Sequence, residues 1–195
     1  GDVVALVEKL GLKRVVLNGW SLGGAVVVEA ANNLGDSCVG IVLTCGATPA
    51  YLQKPNFPYG GTDEALAETL AAMTADRINF LAALSQGVCA SEISQDQLQW
   101  MWRIFTESSP MAAQALGELG PLDQRETLAK LSMPILSFVG AKDLVVDPDV
   151  CRSVKESNPS AKIVEMTDSG HAPFIDETTK YNRELINFGR TCLGQ

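Results

Sequence analysis

Only one histidine, His171, occurs in the chain of 195 residues, so any chemistry that needs an imidazole has a single candidate. The five cysteines (38, 45, 89, 151 and 192) are odd in number, widely spaced and without a Cys-x-x-Cys pair. They suggest neither a disulfide framework nor a metal site, and a reducing cytoplasm is the expected setting. No apolar run approaches the roughly 18 to 20 residues of a transmembrane helix, and no signal peptide is visible. Basic clusters are missing too, and a formal charge of −8 makes nucleic acid and anionic membrane poor partners. There are no repeats or low-complexity tracts. What is present is 46% hydrophobic, enough at this length to bury a substantial core.

Residues 14–24 read Arg-Val-Val-Leu-Asn-Gly-Trp-Ser-Leu-Gly-Gly. An apolar run stops at Gly-x-Ser-x-Gly and a small-residue helix follows. This is the pattern of a nucleophile elbow, a strand-to-helix turn so tight that the Ser21 side chain stands at its tip. Gly19 and Gly23 are expected where a Cβ would collide with neighbouring backbone. A dinucleotide-binding reading fails, because Gly19-x-Ser21-x-x-Gly24 puts serine where that fingerprint needs its second glycine.

A nucleophilic serine needs a base, and the base needs an acid. His171 lies in Asp-Ser-Gly-His-Ala-Pro-Phe, after a short strand read at Ala161 to Met166. Pro134 to Gly140 reads as another buried strand and runs into Ala-Lys-Asp, which places Asp143 just past its end. The order Ser21, Asp143, His171 is that of α/β-hydrolases and differs from the chymotrypsin and subtilisin orders. Asp147 and Asp123 remain alternative acids, since carboxylates cluster near this strand.

These motifs resemble the carboxylesterase branch of the α/β-hydrolase superfamily, across the second half of its fold. Gly-Trp-Ser-Leu-Gly-Gly (19–24) and His-Ala-Pro-Phe (171–174) are similar to pimeloyl-carrier methyl ester esterases. Tyr51 to Gly61 is more similar to bacterial non-haem haloperoxidases, cofactor-free serine esterases with perhydrolase side activity. Leu122 to Leu128, ahead of Ser-Met-Pro-Ile-Leu, resembles both and marks the return from a lid. The resemblance implies an α/β fold: a parallel sheet with flanking helices, a helical lid insertion and no cofactor. It also implies that the first strands of the fold, with the loop donating one oxyanion-hole amide, precede Gly1, so that a missing N-terminal segment is a partner of this chain. The opening helix (Val3, Leu6, Val7, Leu10) would then be internal, and the strand at Val15 to Asn18 would have an uncovered edge, a template for aggregation.

The chain divides into a core with the elbow at 1–48, a helical lid at 49–120 and a second core part with the acid and histidine loops at 121–195. Helices are expected at 22–33, 63–73, 76–86, 94–106, 110–119 and 148–157 and from about Thr178. Alternating strands and helices imply a parallel sheet.

The chemistry that fits is ester hydrolysis through an acyl-enzyme. His171 takes the Ser21 proton, Asp143 sets the histidine tautomer, and the amide of Leu22 is one oxyanion donor. Trp20, Tyr51, Trp100, Trp102 and Leu144 are candidates for an apolar acyl pocket, although Trp100, Met101, Trp102 and Phe105 also fit plain lid packing. Small-molecule esters of small or medium acyl groups are the expected substrates. Residues 60–120 carry eight acids against two bases, a net of −6, which opposes an acidic carrier protein. The contrasting reading is a catalytically silent scaffold that holds a small hydrophobic ligand or a protein partner.

Overall fold

In the computed structural model, which describes residues 1–195, the chain opens with helix α1 (Asp2–Lys9) and continues into strand β1 (Val15–Trp20), helix α2 (Leu22–Leu34) and strand β2 (Cys38–Thr44). Four lid helices follow: α3 (Asp63–Ala75), α4 (Arg77–Gly87), α5 (Gln95–Thr106) and α6 (Ala112–Gly117). The core resumes with α7 (Arg125–Lys130), β3 (Ile135–Gly140), α8 (Pro148–Ser157), β4 (Lys162–Met166), α9 (Pro173–Asp176) and α10 (Thr178–Leu193). The short helices α7 and α9 fall where the sequence suggested only connecting chain.

The four strands are parallel and adjacent in chain order, β1-β2-β3-β4. The two central strands are nearly continuous apolar runs because helices cover both faces of the sheet. Side-chain alternation sends Ile41, Leu43 and Ile135 toward α2, α7 and α8, while Val42, Leu136 and Phe138 pack against Tyr181 of α10. β1 pairs on one side only, and Val15, Val16 and Leu17 are half-buried, as expected of an open-edged strand. The opening helix departs from its expected apolar face. Val7 is buried, but Leu6 and Leu10 are 57% and 61% exposed, because α1 rests on α2 through a narrow strip.

Local chemistry sets the lid boundaries. Thr62 caps α3, and Ser94 with Gln97 forms a reciprocal capping box on α5. Asp76 both ends α3 and caps α4. The two ends of the insertion meet at the core. Thr48 Oγ1 donates to Gln124 Oε1 at 2.8 Å, and the Gln124 amide donates to the Pro49 carbonyl at 2.8 Å. The buried Gln124 side chain then donates to the Ala25 carbonyl and to Glu29, both on α2.

Candidate active site

The elbow is as tight as its sequence requires. Ser21 has φ 57° and ψ −126°, a conformation that costs a non-glycine residue about 1–3 kcal/mol and persists only where its surroundings impose it. They do so here through the end of β2. The Ser21 amide donates to the Thr44 carbonyl at 3.1 Å, and the Ser21 carbonyl accepts from Ala47 N at 2.9 Å. A Cβ on Gly19 would lie 2.1 Å from the Gly23 carbonyl oxygen, so glycine is obligatory there. Gly23 is different from expectation, since a Cβ on it would meet nothing within 4 Å. The second obligatory glycine is Gly24, whose Cβ would lie 2.6 Å from Gly46 Cα, where α2 crosses the chain leaving β2.

Asp143 and His171 meet at the C-terminal edge of the sheet. The His171 ring nitrogen Nδ1 is 2.8 Å from Asp143 Oδ2, with the two side chains 3% and 1% exposed. Asp143 Oδ1 accepts the amides of Val145 and Val146 at 2.8 and 3.1 Å, which holds the carboxylate in place. A carboxylate accepts and cannot donate, so Nδ1 carries a proton, and in the neutral ring Nε2 then keeps its lone pair. Arg77 Nε is the one buried side-chain nitrogen or oxygen without a partner, so Nε2, which has none, still opens onto solvent. Ser21 Oγ likewise has no hydrogen bond.

The alternative acids are engaged elsewhere. Asp147 caps α8 through Asp149 N at 2.9 Å and accepts Gly60 N at 2.9 Å. Asp123 is paired with Arg125 at 2.6 Å. Leu22 opens α2, so its amide, like those of any first helical turn, has no helical carbonyl to bond.

Of the expected pocket residues, two reach the site. The Trp20 ring lies 5.4 Å from that of His171 and stands edge-on to Phe174 at 5.0 Å, and Phe105 of α5 stacks behind it at 6.0 Å. Tyr51 donates to the Val145 carbonyl at 3.2 Å, and its pKa is raised by burial and then by the Asp143 charge. The other three lie exposed: Trp100, Trp102 and Leu144 are 53%, 40% and 90% exposed. The lid residues that face inward are Met101 and Phe105, packed with Val88 and Ala172.

Two features escaped the sequence reading. Cys45, at φ 44°, offers Sγ within 4.8 Å of both the Asp143 carboxylate and a His171 nitrogen, and burial pushes its thiol well up. Its only sequence signal was its place directly after β2. The second feature is an apolar cavity of ≈ 500 Å³ between the start of α1, the outer face of α2 and residues 115–122, which reaches Leu22 but not Ser21 or His171.

Residues 1–178 match the family model of the alpha/beta hydrolase fold, and the chain belongs to that family. It is 28% identical over 192 residues to the AB hydrolase superfamily protein YisY of Bacillus subtilis, covering 97% of this chain and 72% of that one. A pimeloyl-[acyl-carrier protein] methyl ester esterase of Nitrosomonas europaea is 27% identical, over 83% of this chain and 66% of its own. Among solved structures, an esterase from Exiguobacterium antarcticum superposes with a TM-score of 0.92 at 25% identity, over 97% of this chain and 71% of that one.

Proposed function

We propose that this chain carries the catalytic core of a serine carboxylester hydrolase acting on small or medium acyl esters through an acyl-enzyme. The observation that carries the reading is the buried Asp143–His171 pair, at the same C-terminal edge of the parallel sheet as a serine held in a strained elbow. Family membership and esterase-named relatives support hydrolytic chemistry in general. The residues supply the finer assignment.

In this mechanism Ser21 Oγ attacks the ester carbonyl carbon while Nε2 of His171 takes the hydroxyl proton. Asp143 stabilises the resulting imidazolium without becoming protonated. The oxyanion falls to the amide of Leu22, at the positive end of α2. The intermediate collapses as Nε2 returns the proton to the departing alcohol, leaving an acyl-serine. Water then repeats the sequence, releasing the acid and restoring the serine. A second oxyanion donor is needed, and this reading assigns it to chain preceding Gly1, the relatives being longer than this chain.

The test is fluorophosphonate labelling together with turnover of p-nitrophenyl esters of graded acyl length, in the full-length protein and in Ser21→Ala. We expect labelling at Ser21, turnover favouring shorter acyl groups, and loss of both in Ser21→Ala with an unchanged circular dichroism spectrum. Normal turnover in Ser21→Ala, or the absence of labelling in the wild type, removes the reading.

A further inference from the structure

Asp176 lies five positions beyond His171, at the end of α9, and its carboxylate gathers donors from two separate parts of the chain. From the histidine loop, Gly170 N donates to Oδ2 at 2.8 Å. From the lid segment between α4 and α5, Ala90 N donates to Oδ2 at 2.9 Å and Ser91 N to Oδ1 at 3.0 Å, and the Ser91 hydroxyl also donates to Oδ1. One carboxylate thus satisfies four donors. Charge-assisted bonds of this kind are about twice as strong as neutral ones.

The two segments touch directly as well. Ala172 N donates to the Val88 carbonyl at 2.9 Å, and a Cβ on Gly170 would lie 3.0 Å from both Val88 O and Ala90 N. On its other side the histidine loop lies against the end of β3, where a Cβ on Gly140 would be 1.9 Å from Gly170 O. His171 therefore sits on backbone clasped between β3 and the lid.

We propose that Asp176 is a positioning residue that latches the lid segment 88–91 onto the histidine loop, so that seating of the lid and placement of the imidazole are one event. It touches no reacting atom. It acts by fixing the peptide that precedes His171 and the lid peptide that backs it. Release of the latch loosens both together, because Gly170, Ala90 and Ser91 lose a common acceptor.

The decisive readout is the amide of Ala172, which bonds to Val88 O and not to Asp176. In Asp176→Ala its hydrogen exchange, followed by NMR, should accelerate at least about tenfold, since local opening of the shared segment replaces a closed state. Asp176→Asn, which keeps one acceptor oxygen, should fall between this variant and the wild type, and Ser91→Ala should move a smaller distance the same way. The kinetic arm rests on the hydrolase reading: kcat should drop by about tenfold with KM nearly unchanged, because imidazole placement is lost and not ester binding. The exchange arm does not rest on it and should give the same result in a Ser21→Ala background. Wild-type protection of Ala172 in folded Asp176→Ala overturns the latch. If Asp176→Ala does not fold, wild-type protection in Asp176→Asn overturns it equally. A loosened Ala172 with unchanged kcat, in an enzyme whose Ser21 has been shown to react, overturns the coupling to the imidazole.

Discussion

The indole N–H of Trp20 donates to the backbone carbonyl of His171 at 2.7 Å, joining the residue before the proposed nucleophile to the residue that would deprotonate it. The two are 151 positions apart in the chain. Trp20→Phe keeps much of the ring packing against Phe105 and Phe174 and removes this bond together with part of the indole. We expect a stability loss of about 1 kcal/mol in thermal unfolding and a fall in kcat/KM of about tenfold. Unchanged kinetics would show that the bond does not help place the histidine.

Asp143→Asn should lower turnover severely by disturbing the Nδ1 tautomer, by up to about 10⁴ as in the protease precedent. Asp147→Asn should leave kcat within about threefold and stability little changed, since asparagine caps a helix as well as aspartate does and α8 keeps its cap. Steady-state kinetics on the two variants decides, and a larger loss at Asp147 would reassign the acid.

The glycines of the elbow give a sharp contrast. Gly24→Ala puts a methyl group 2.6 Å from Gly46 Cα and should destabilise by about 1–3 kcal/mol or more. Gly23→Ala, with open space around it, should be neutral or stabilising by up to about 1 kcal/mol, because alanine is the better helix former. Thermal melts of the two variants check this, and equal losses would contradict it.

All five thiols, each raised by burial, tie stability to alkaline pH, three of them most strongly. Burial pushes Cys45 and Cys151 well up, and burial with the Asp176 charge brings Cys89 up to about 11. Unfolded, each ionises near about 8.5, so above that pH the folded chain binds more protons than the unfolded one. Their contribution is fully present below about pH 8.5 and is lost as pH rises through the folded values. The melting temperature should therefore decline from about pH 8.5 upward, and less steeply in Cys151→Ala. Identical slopes would remove Cys151 from the account.

The acidic lid bears on substrate. With a net charge of −6 over residues 60–120, it should repel an acidic carrier protein. We expect kcat/KM for a free acyl methyl ester to exceed that for its carrier-linked form, the gap narrowing as salt rises. A preference for the carrier form that weakens with salt would show that attraction prevails.

The sequence revealed most where one residue type meets a demand that few others satisfy. Gly19, Ser21 and the lone His171 were legible because an elbow and an imidazole admit little substitution, and Asp143 was legible because it follows a continuous apolar strand. Gly23 was misjudged in favour of Gly24 because both are glycine, and only the crossing of α2 over Gly46 tells them apart. The lid was harder. Trp100, Met101, Trp102 and Phe105 lie within little more than one helical turn, so periodicity cannot say which face meets the core, and the answer came from where Val88 and Ala172 stand. Asp176 was invisible because two of its donor residues, Ala90 and Ser91, are 86 and 85 positions away in the chain.

The clamp formed by Thr48, Pro49 and Gln124 has a consequence for how such a protein can change. The chain leaves the core and re-enters it at a single knot fastened to α2, so the cost of closing the intervening loop is met at its base and grows only slowly with its length. Helices between those points that leave the 88–91 contact with the histidine loop in place can lengthen, shorten or be exchanged without disturbing the register of β2 and β3 or the spacing of Ser21 and Asp143. The insertion is thus tied down at two places, its base and the 88–91 contact beside His171, and the stretches between them are the ones free to vary.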